Sequence, residues 1–253
     1  MTSISIITPT YNADKTINDC IQSIRQQDLS VEHIIIDNNS TDNTHNIIEK
    51  NSSHIAYFIS EPDKGLYDAI NKGIKIAKGD IIGILNADDI YYKSTALKKV
   101  LNSFKNTNID SCYGNLVYVD QNNTDKTIRY WKSGDYRPEK FFWGWMPPHP
   151  TFFIRRELYI KYGLYNLQLG SAADYELMLR FLLKQMITTT YIPETIIKMR
   201  TGGISNLSLK NRVMANIMDR KAWKTNGLTP YPWTLFFKPL RKINQWLSKP
   251  GIN

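Results

Sequence analysis

Along the first ninety positions, short unbroken apolar runs alternate with stretches whose apolar residues recur every three or four places. Residues 3–8 (SISIIT) predict a buried strand ended by Pro9. Residues 32–37 (EHIIID), 55–59 and 80–85 (DIIGIL) predict three more. Between them, residues 14–27 predict a helix with Ile17, Cys20, Ile21 and Ile24 on one face, and residues 66–78 predict another. Asn38, Asn39 and Ser40 read as a turn, after which Thr41 or Asp42 caps a further helix. This alternation predicts an open, doubly wound α/β sheet, which binds ligands at the carboxyl ends of its strands. The polar clusters fall at those ends, at residues 8–12, 37–40, 61–64 and 86–89.

The pattern changes after Asp89. Residues 94–104 predict a helix, residues 111–120 and 126–131 a hairpin about Gln121-Asn122-Asn123, and residues 172–184 an amphipathic helix. Residues 141–153 are rich in aromatics and proline, and residues 186–198 hold strand-like pieces. This second half reads as α+β and extends the same sheet, with no break in composition before residue 206.

With 42% hydrophobic residues, the chain builds a substantial core. The formal charge of +9 is concentrated at one end: residues 207–253 carry nine Lys and Arg against one acid, Asp219, a net +8 that leaves residues 1–206 near neutral. A nucleic-acid protein spreads its cations over a recognition face, so no nucleic-acid partner is expected. From Leu240, a helix would place Leu240, Ile243, Trp246 and Leu247 on one stripe, with Arg241, Lys242 and Asn244 off it. That mixture suits an anionic membrane surface; the competing expectation packs the aromatics on the body. The N-terminus has no basic region followed by an apolar one, and no apolar run approaches the ~20 residues that span a bilayer. A cytoplasmic protein, peripheral at the inner face of the plasma membrane, is therefore expected. Cys20 and Cys112 form no CxxC pair and read as reduced thiols.

Asn86-Ala87-Asp88-Asp89 follows the fourth predicted strand directly. Two adjacent carboxylates at a strand end need a partner, and a hard cation, Mg²⁺ or Mn²⁺, is an efficient one; a solvated acidic turn is the plainer alternative. Asp37 ends the second strand, where a carboxylate accepts from a nucleoside or closes an Asx-turn. Asp68 and Asn71 share a helix face, either to meet a nucleotide or to solvate that face.

Thr8-Pro9-Thr10-Tyr11-Asn12, then DNNSTDNT, then KGLYDAINKGIKIAKGDIIGILNADD, in this order and spacing, resemble the nucleotide-binding half of the family 2 glycosyltransferases of the GT-A fold. The resemblance covers residues 3–205. It implies a UDP-sugar donor bound by Thr8, Pro9, Tyr11, Asp37, Asn38, Lys64, Asp68, Asn71, Asn86 and Asp88. It implies Mn²⁺ or Mg²⁺ on Asp88 and Asp89, with Asp89 the more direct ligand. Many members carry a second acid where this chain has Asn38, so base recognition stays open between Asp37 and Asn38. HPTFFIRR, starting at His149, resembles the acceptor-side strand; His149 is a site residue or a satisfied partner. ADYELMLR resembles the helix whose leading carboxylate is the general base, which makes Asp174 the base and Glu176 the alternative; an N-cap role for Asp174 is the plainer reading. MRTGGIS resembles the loop that closes over the donor, and brings in Arg200, Gly202 and Gly203.

The implied organisation is a catalytic domain at 1–206, with a donor and metal half at about 1–105 and an acceptor half at about 106–206, followed by a basic helical extension at 207–253. The Gln-x-x-Arg-Trp motif of processive relatives is absent, which favours transfer of one hexose or N-acetylhexosamine with inversion. The implied acceptor is a glycan on undecaprenyl diphosphate in surface-polysaccharide synthesis. A sugar nucleotidyltransferase is the competing enzyme reading, but needs a Gly-rich loop after the first strand; a non-catalytic basic adaptor leaves the carboxylates idle.

Overall fold

In the computed structural model, which describes residues 2–202, 209–241 and 245, the predicted alternation becomes β1 (Ile4–Thr10), α1 (Ile17–Arg25), β2 (Glu32–Asp37), α2 (Thr44–Lys50), β3 (Tyr57–Ser60), α3 (Leu66–Ile76) and β4 (Ile81–Ile84). These strands lie parallel in the order β3-β2-β1-β4. Successive strand residues face opposite sides, and each side has its own cover. Ile7, Ile34, Ile36 and Ile82 pack with Ala69, Ile70 and Ile74 of α3. Ile4, Ile6, Ile35 and Ile81 pack with the four predicted residues of α1. Helix α3 presses so closely on β1 that a Cβ at Gly73 would come within 2.5 Å of Ile7.

Two local expectations are corrected here. Pro9 does not end β1, which runs on to Thr10 and pairs with β2 throughout. The Thr10 carbonyl accepts the Asn38 N–H, so Pro9 faces the other way, towards β4. The β1–β4 ladder has stopped at Ile7 and Ile84, so no bond needs the missing N–H. The cap of α2 also differs: Asn43 precedes the helix, and Asp42 acts from one residue further out, its Oδ1 accepting the Thr44 N–H at 3.0 Å.

The second half contributes β5 (Ile90–Tyr91), α4 (Ala96–Ser103), β6 (Ser111–Val119), β7 (Thr127–Trp131), α5 (Glu139–Phe142), β8 (Phe153–Arg155), α6 (Arg156–Tyr162), α7 (Ala173–Met178), β9 (Thr189–Arg200), α8 (Leu209–Thr225) and α9 (Thr234–Leu240). It extends the sheet through antiparallel β8, so that the order continues β4-β8-β6-β9-β5, with β7 paired to β6 as the predicted hairpin. The fold is therefore a mixed, open α/β sheet with helices on both faces. The strand-like pieces expected at 186–198 form one twelve-residue strand, and its antiparallel pairing with β5 brings Arg200 beside the acidic turn after β4.

The helix expected at 172–184 is not amphipathic. Helix α7 passes into a π-helical stretch, Leu179–Lys184, and Tyr175, Glu176, Leu177, Met178, Leu179 and Phe181 are all buried. The reason is α8, which covers the face that would otherwise meet solvent: Ala222 and Trp223 are fully buried in the same core, and Trp223 Nε1–H donates to the Tyr175 hydroxyl. Beyond it, Trp233 and Phe237 lie against Trp143, Tyr231 against Phe142, and the Thr234 hydroxyl donates to the Phe142 carbonyl. Residues up to Arg241 thus pack on the body as the competing expectation had it, while Phe236 and Leu240 remain exposed. The expected stripe residues Ile243, Trp246 and Leu247 lie outside the described residues.

Candidate active site at the carboxyl edge of the sheet

Strand β4 ends and the chain turns through Asn86–Asp89, closed by the Asp89 N–H donating to the Asn86 carbonyl. Asp89 is fully buried. Its Oδ2 accepts from Asn86 Nδ2–H at 3.0 Å, while its Oδ1 and the Asn86 Oδ1 are buried without a hydrogen bond. Burial first, and then the charge of Asp88, push the Asp89 carboxyl well above its ordinary pKa. Burial also raises Asp88, and the Arg200 charge opposes it. Arg200, expected on the donor-closing loop, is buried against this turn. Its Nη1–H donates to the Asp88 carbonyl at 2.8 Å and its Nη2–H to Asp19 Oδ2 at 2.5 Å.

The donor set at the turn consists of hard oxygens with unfilled acceptor positions, and this fits Mg²⁺ or Mn²⁺. Among the described residues no cluster of three or more His, Cys, Asp or Glu is suited to a metal. Such a cation would take its remaining ligands from water or from a bound ligand's oxygens.

Around β1 and β2, the loops interlock. The Asn12 N–H donates to Ser40 Oγ and the Asn12 Oδ1 accepts the Thr41 N–H. Asn12 and Asn39 take left-handed φ of 46° and 52°, which asparagine tolerates. Tyr11 projects from this edge, 60% exposed. Pro9 is buried within β1. Thr8 is placed differently from a ligand-facing residue: it is fully buried, and its hydroxyl pairs with His33 Nε2 at 3.0 Å on the core side. Asp37 is also buried. Burial alone would raise its pKa, but hydrogen bonds from Ser40, His45 and Ser60 together outweigh that and hold the carboxyl below its ordinary value. Neither His45 nor Ser60 carries a motif signal in the sequence; both reach Asp37 only through the fold.

The segment before α3 is held by its own polar residues. Asn38 Oδ1 accepts the Asp63 N–H, Asp63 Oδ1 the Gly65 N–H and Asp68 Oδ2 the Lys64 N–H. Gly65 supplies the φ of 106° that starts the helix. The Lys64 side chain is exposed. Asn71 faces away from this edge: both ends of its amide bind the Tyr165 backbone, so it braces the second half of the chain and does not project into the carboxyl edge.

Asp174 and Glu176 are separated by their surroundings. Asp174 is half-buried in the first turn of α7, accepts the Tyr175 N–H locally and faces the Tyr67 hydroxyl. Burial, followed by the Asp174 charge, raises the Tyr67 phenol well above its usual pKa. Glu176 is 2% exposed and accepts Arg180 Nε–H at 2.9 Å, Arg180 Nη2–H at 3.0 Å and Asn226 Nδ2–H at 3.2 Å. The remaining Arg180 donors close the carbonyls after α6. Glu176 is thus consumed by a buried clamp, and Asp174 is the carboxylate left partly exposed beside Tyr67 and His149. His149 Nε2 pairs with the Tyr165 hydroxyl at 2.9 Å; burial lowers its pKa and Asp174 opposes the shift. Gly202 lies exposed beyond β9, and Gly203 lies outside the described residues.

A sheet of this order with an acidic turn at its parallel carboxyl edge is a GT-A arrangement, shared with glycosyltransferases of known structure. The S. aureus protein TarS 1-349 has 16% sequence identity and a TM-score of 0.66, with 97% of this chain and 89% of that chain covered. Glucosyl-3-phosphoglycerate synthase from Mycobacterium tuberculosis, solved with Mn²⁺, UDP and glucosyl-3-phosphoglycerate, has 17% identity and a TM-score of 0.64, covering 91% of this chain and 82% of that one. Residues 5–163 match the family model described as Glycosyl transferase family 2, and the chain belongs to that family. Among its relatives, a PGL/p-HBAD biosynthesis glycosyltransferase of Mycobacterium bovis is 30% identical over 207 residues, 80% of this chain and 78% of that protein. The Escherichia coli UDP-Glc:alpha-D-GlcNAc-diphosphoundecaprenol beta-1,3-glucosyltransferase WfgD is 35% identical over 121 residues, 47% of each chain.

Proposed function

We propose that this glycosyltransferase moves one hexose or N-acetylhexosamine from a UDP-sugar to a lipid-linked oligosaccharide, with inversion, in surface-polysaccharide synthesis. The observation that carries the reading is the Asn86–Asp89 turn, where a fully buried carboxylate keeps an acceptor atom without a hydrogen bond at the ligand-binding edge. The name of the E. coli relative, which gives a UDP-sugar donor and a diphosphoundecaprenol acceptor, supports the finer part.

Asp88 and Asp89 would hold a divalent cation, which when bound neutralises charge on the departing nucleoside diphosphate. Asp174 takes the proton of an acceptor hydroxyl as that oxygen bonds to the anomeric carbon. The bond from that carbon to the diphosphate oxygen breaks on the opposite face, and no covalent enzyme intermediate forms. Tyr67 orients the Asp174 carboxylate, and Arg200 holds the acidic turn through the Asp88 carbonyl. Among the described residues no helix is long and apolar enough to cross a membrane. Exposed Trp233, Phe236 and Leu240, next to the basic end of the chain, support a peripheral contact with an anionic leaflet.

Thermal unfolding with a panel of nucleotide sugars tests this reading. UDP-sugars are expected to raise the melting temperature with Mn²⁺ and to lose that increment in EDTA. Asp89→Asn is expected to fold and to abolish the Mn²⁺-dependent increment. A wild-type chain that shows no Mn²⁺-dependent shift with any nucleotide sugar overturns the proposal.

A further inference from the structure

Arg200 and Asp19 meet beside the acidic turn from positions 181 residues apart. Arg200 ends β9 and its side chain is 7% exposed; Asp19 lies in the first turn of α1 with its side chain 54% exposed. The two outer nitrogens of the guanidinium go to different partners. Nη1–H donates to the Asp88 carbonyl at 2.8 Å and Nη2–H to Asp19 Oδ2 at 2.5 Å, while Nε–H is buried without a hydrogen bond. Because a guanidinium is planar, two anchors on separate elements fix its plane.

An Arg beside a carboxylate ordinarily binds it through paired N–H groups. The Arg200 charge acts on both Asp88 and Asp89. Among the described residues, however, neither of those carboxylates accepts from the guanidinium, which meets the turn through a backbone oxygen. Asp19 accounts for this. It is the carboxylate partner that Arg200 does have, and it leaves the acceptor positions of Asp88 and Asp89 unclaimed.

We propose that Asp19 is a positioning residue for the cation site: by pairing with Arg200 it keeps the guanidinium on the Asp88 carbonyl and leaves both carboxylates of the turn to a divalent metal ion. Three carboxylates and one guanidinium carry two net negative charges, which one such ion balances. With Asp19 neutral, the buried guanidinium lacks its counter-charge, takes a carboxylate of the turn instead, and competes with the metal. The inference rests on the metal reading of the turn and adds a residue that belongs to no sequence motif.

Mn²⁺ titration of the full chain with UDP present, followed by electron paramagnetic resonance against a UDP blank, tests it. Asp19→Asn is expected to keep a melting temperature near wild type, because Asp19 is the exposed member of its pair. It is expected to weaken Mn²⁺ binding by about tenfold, the scale of one hydrogen bond to a charged group. Asp19→Glu is expected to restore most of that loss. In an Arg200→Gln background, Asp19→Asn is expected to add less than about a twofold loss, since Asp19 acts through Arg200 and its own exposed charge is screened. Unchanged Mn²⁺ affinity in Asp19→Asn overturns the proposal and leaves Asp19 only its place at the start of α1. An equal loss with and without Arg200 also overturns it, as does a loss that tracks a fallen melting temperature and that Asp19→Glu does not restore. Wild type that binds no Mn²⁺ overturns the metal reading as well.

Discussion

Asn71 holds Tyr165 by both ends of its amide: Nδ2–H donates to the Tyr165 carbonyl and Oδ1 accepts the Tyr165 N–H, each at 2.9 Å. One helical turn earlier, Tyr67 stacks on the Tyr165 ring at 5.3 Å and faces Asp174. Helix α3 therefore grips the second half of the chain at i and i+4, and joins the parallel part of the sheet to the helix that carries Asp174.

Asn71→Ala is expected to destabilise the protein without removing a donor contact. It leaves two buried backbone groups of Tyr165 unpaired, which costs about 2–5 kcal/mol and lowers the melting temperature by on the order of 5–15 °C. Thermal unfolding and UDP titration of the folded variant check this. An unchanged melting temperature with weakened UDP binding would return Asn71 to the nucleotide site.

Asp174→Asn and Glu176→Gln should fail in different ways. Asp174→Asn is expected to bind UDP as wild type does and to lose turnover by roughly 10²–10⁴, the scale of general-base catalysis. Glu176→Gln breaks the ion pair with Arg180 inside the core and is expected to lose about 3–5 kcal/mol of stability, with turnover per folded molecule largely kept. Steady-state kinetics beside denaturant unfolding separates the two. A dead Glu176→Gln with a stable fold, next to an active Asp174→Asn, reverses the assignment.

His33 gives the fold an acid-sensitive point away from the chemistry. It is 1% exposed, pairs with Thr8, and burial lowers its pKa to about 3. The unfolded chain protonates this imidazole near 6.5, so between about pH 6.5 and 3 the unfolded state binds the extra proton and stability falls as pH falls. The expected contribution is roughly 1 kcal/mol per pH unit in that window. His33→Gln keeps a polar partner for Thr8 and should flatten the dependence relative to wild type. Parallel stability curves for the two proteins would disprove the point.

The end of the chain is expected to divide at Arg241. Stopping after Gly227 removes Thr234 and Leu235 from the core and uncovers Phe142 and Trp143, so the melting temperature should fall. Stopping after Arg241 keeps those contacts and should leave it near wild type. Co-sedimentation with anionic liposomes at low salt is expected for the full chain and reduced for the chain ending at Arg241. Equal sedimentation of both would remove residues 242–253 from any membrane role.

The period of the apolar residues was enough to order the first four strands and their helices, because a buried face repeats along the chain itself. The acidic pair at the end of β4 was legible for the same reason: its place follows from where an apolar run stops. The roles of individual polar residues were decided only by the tertiary structure. Asp174 and Glu176 are two residues apart in one motif, yet only the fold supplies Arg180 and Asn226 to one and Tyr67 to the other. Asn71 and Asp68 share a motif and a helix face, but a carbonyl and an N–H ninety-four residues away claim Asn71 alone. Arg200 reaches the acidic turn across 112 residues because β9 pairs with β5. Burial follows a local period, whereas a hydrogen-bond partner has no preferred distance along the chain. The sequence therefore determined which segments of the first half are buried, while the packing of all segments determined that α7 is covered on every face and which polar groups remain free to act.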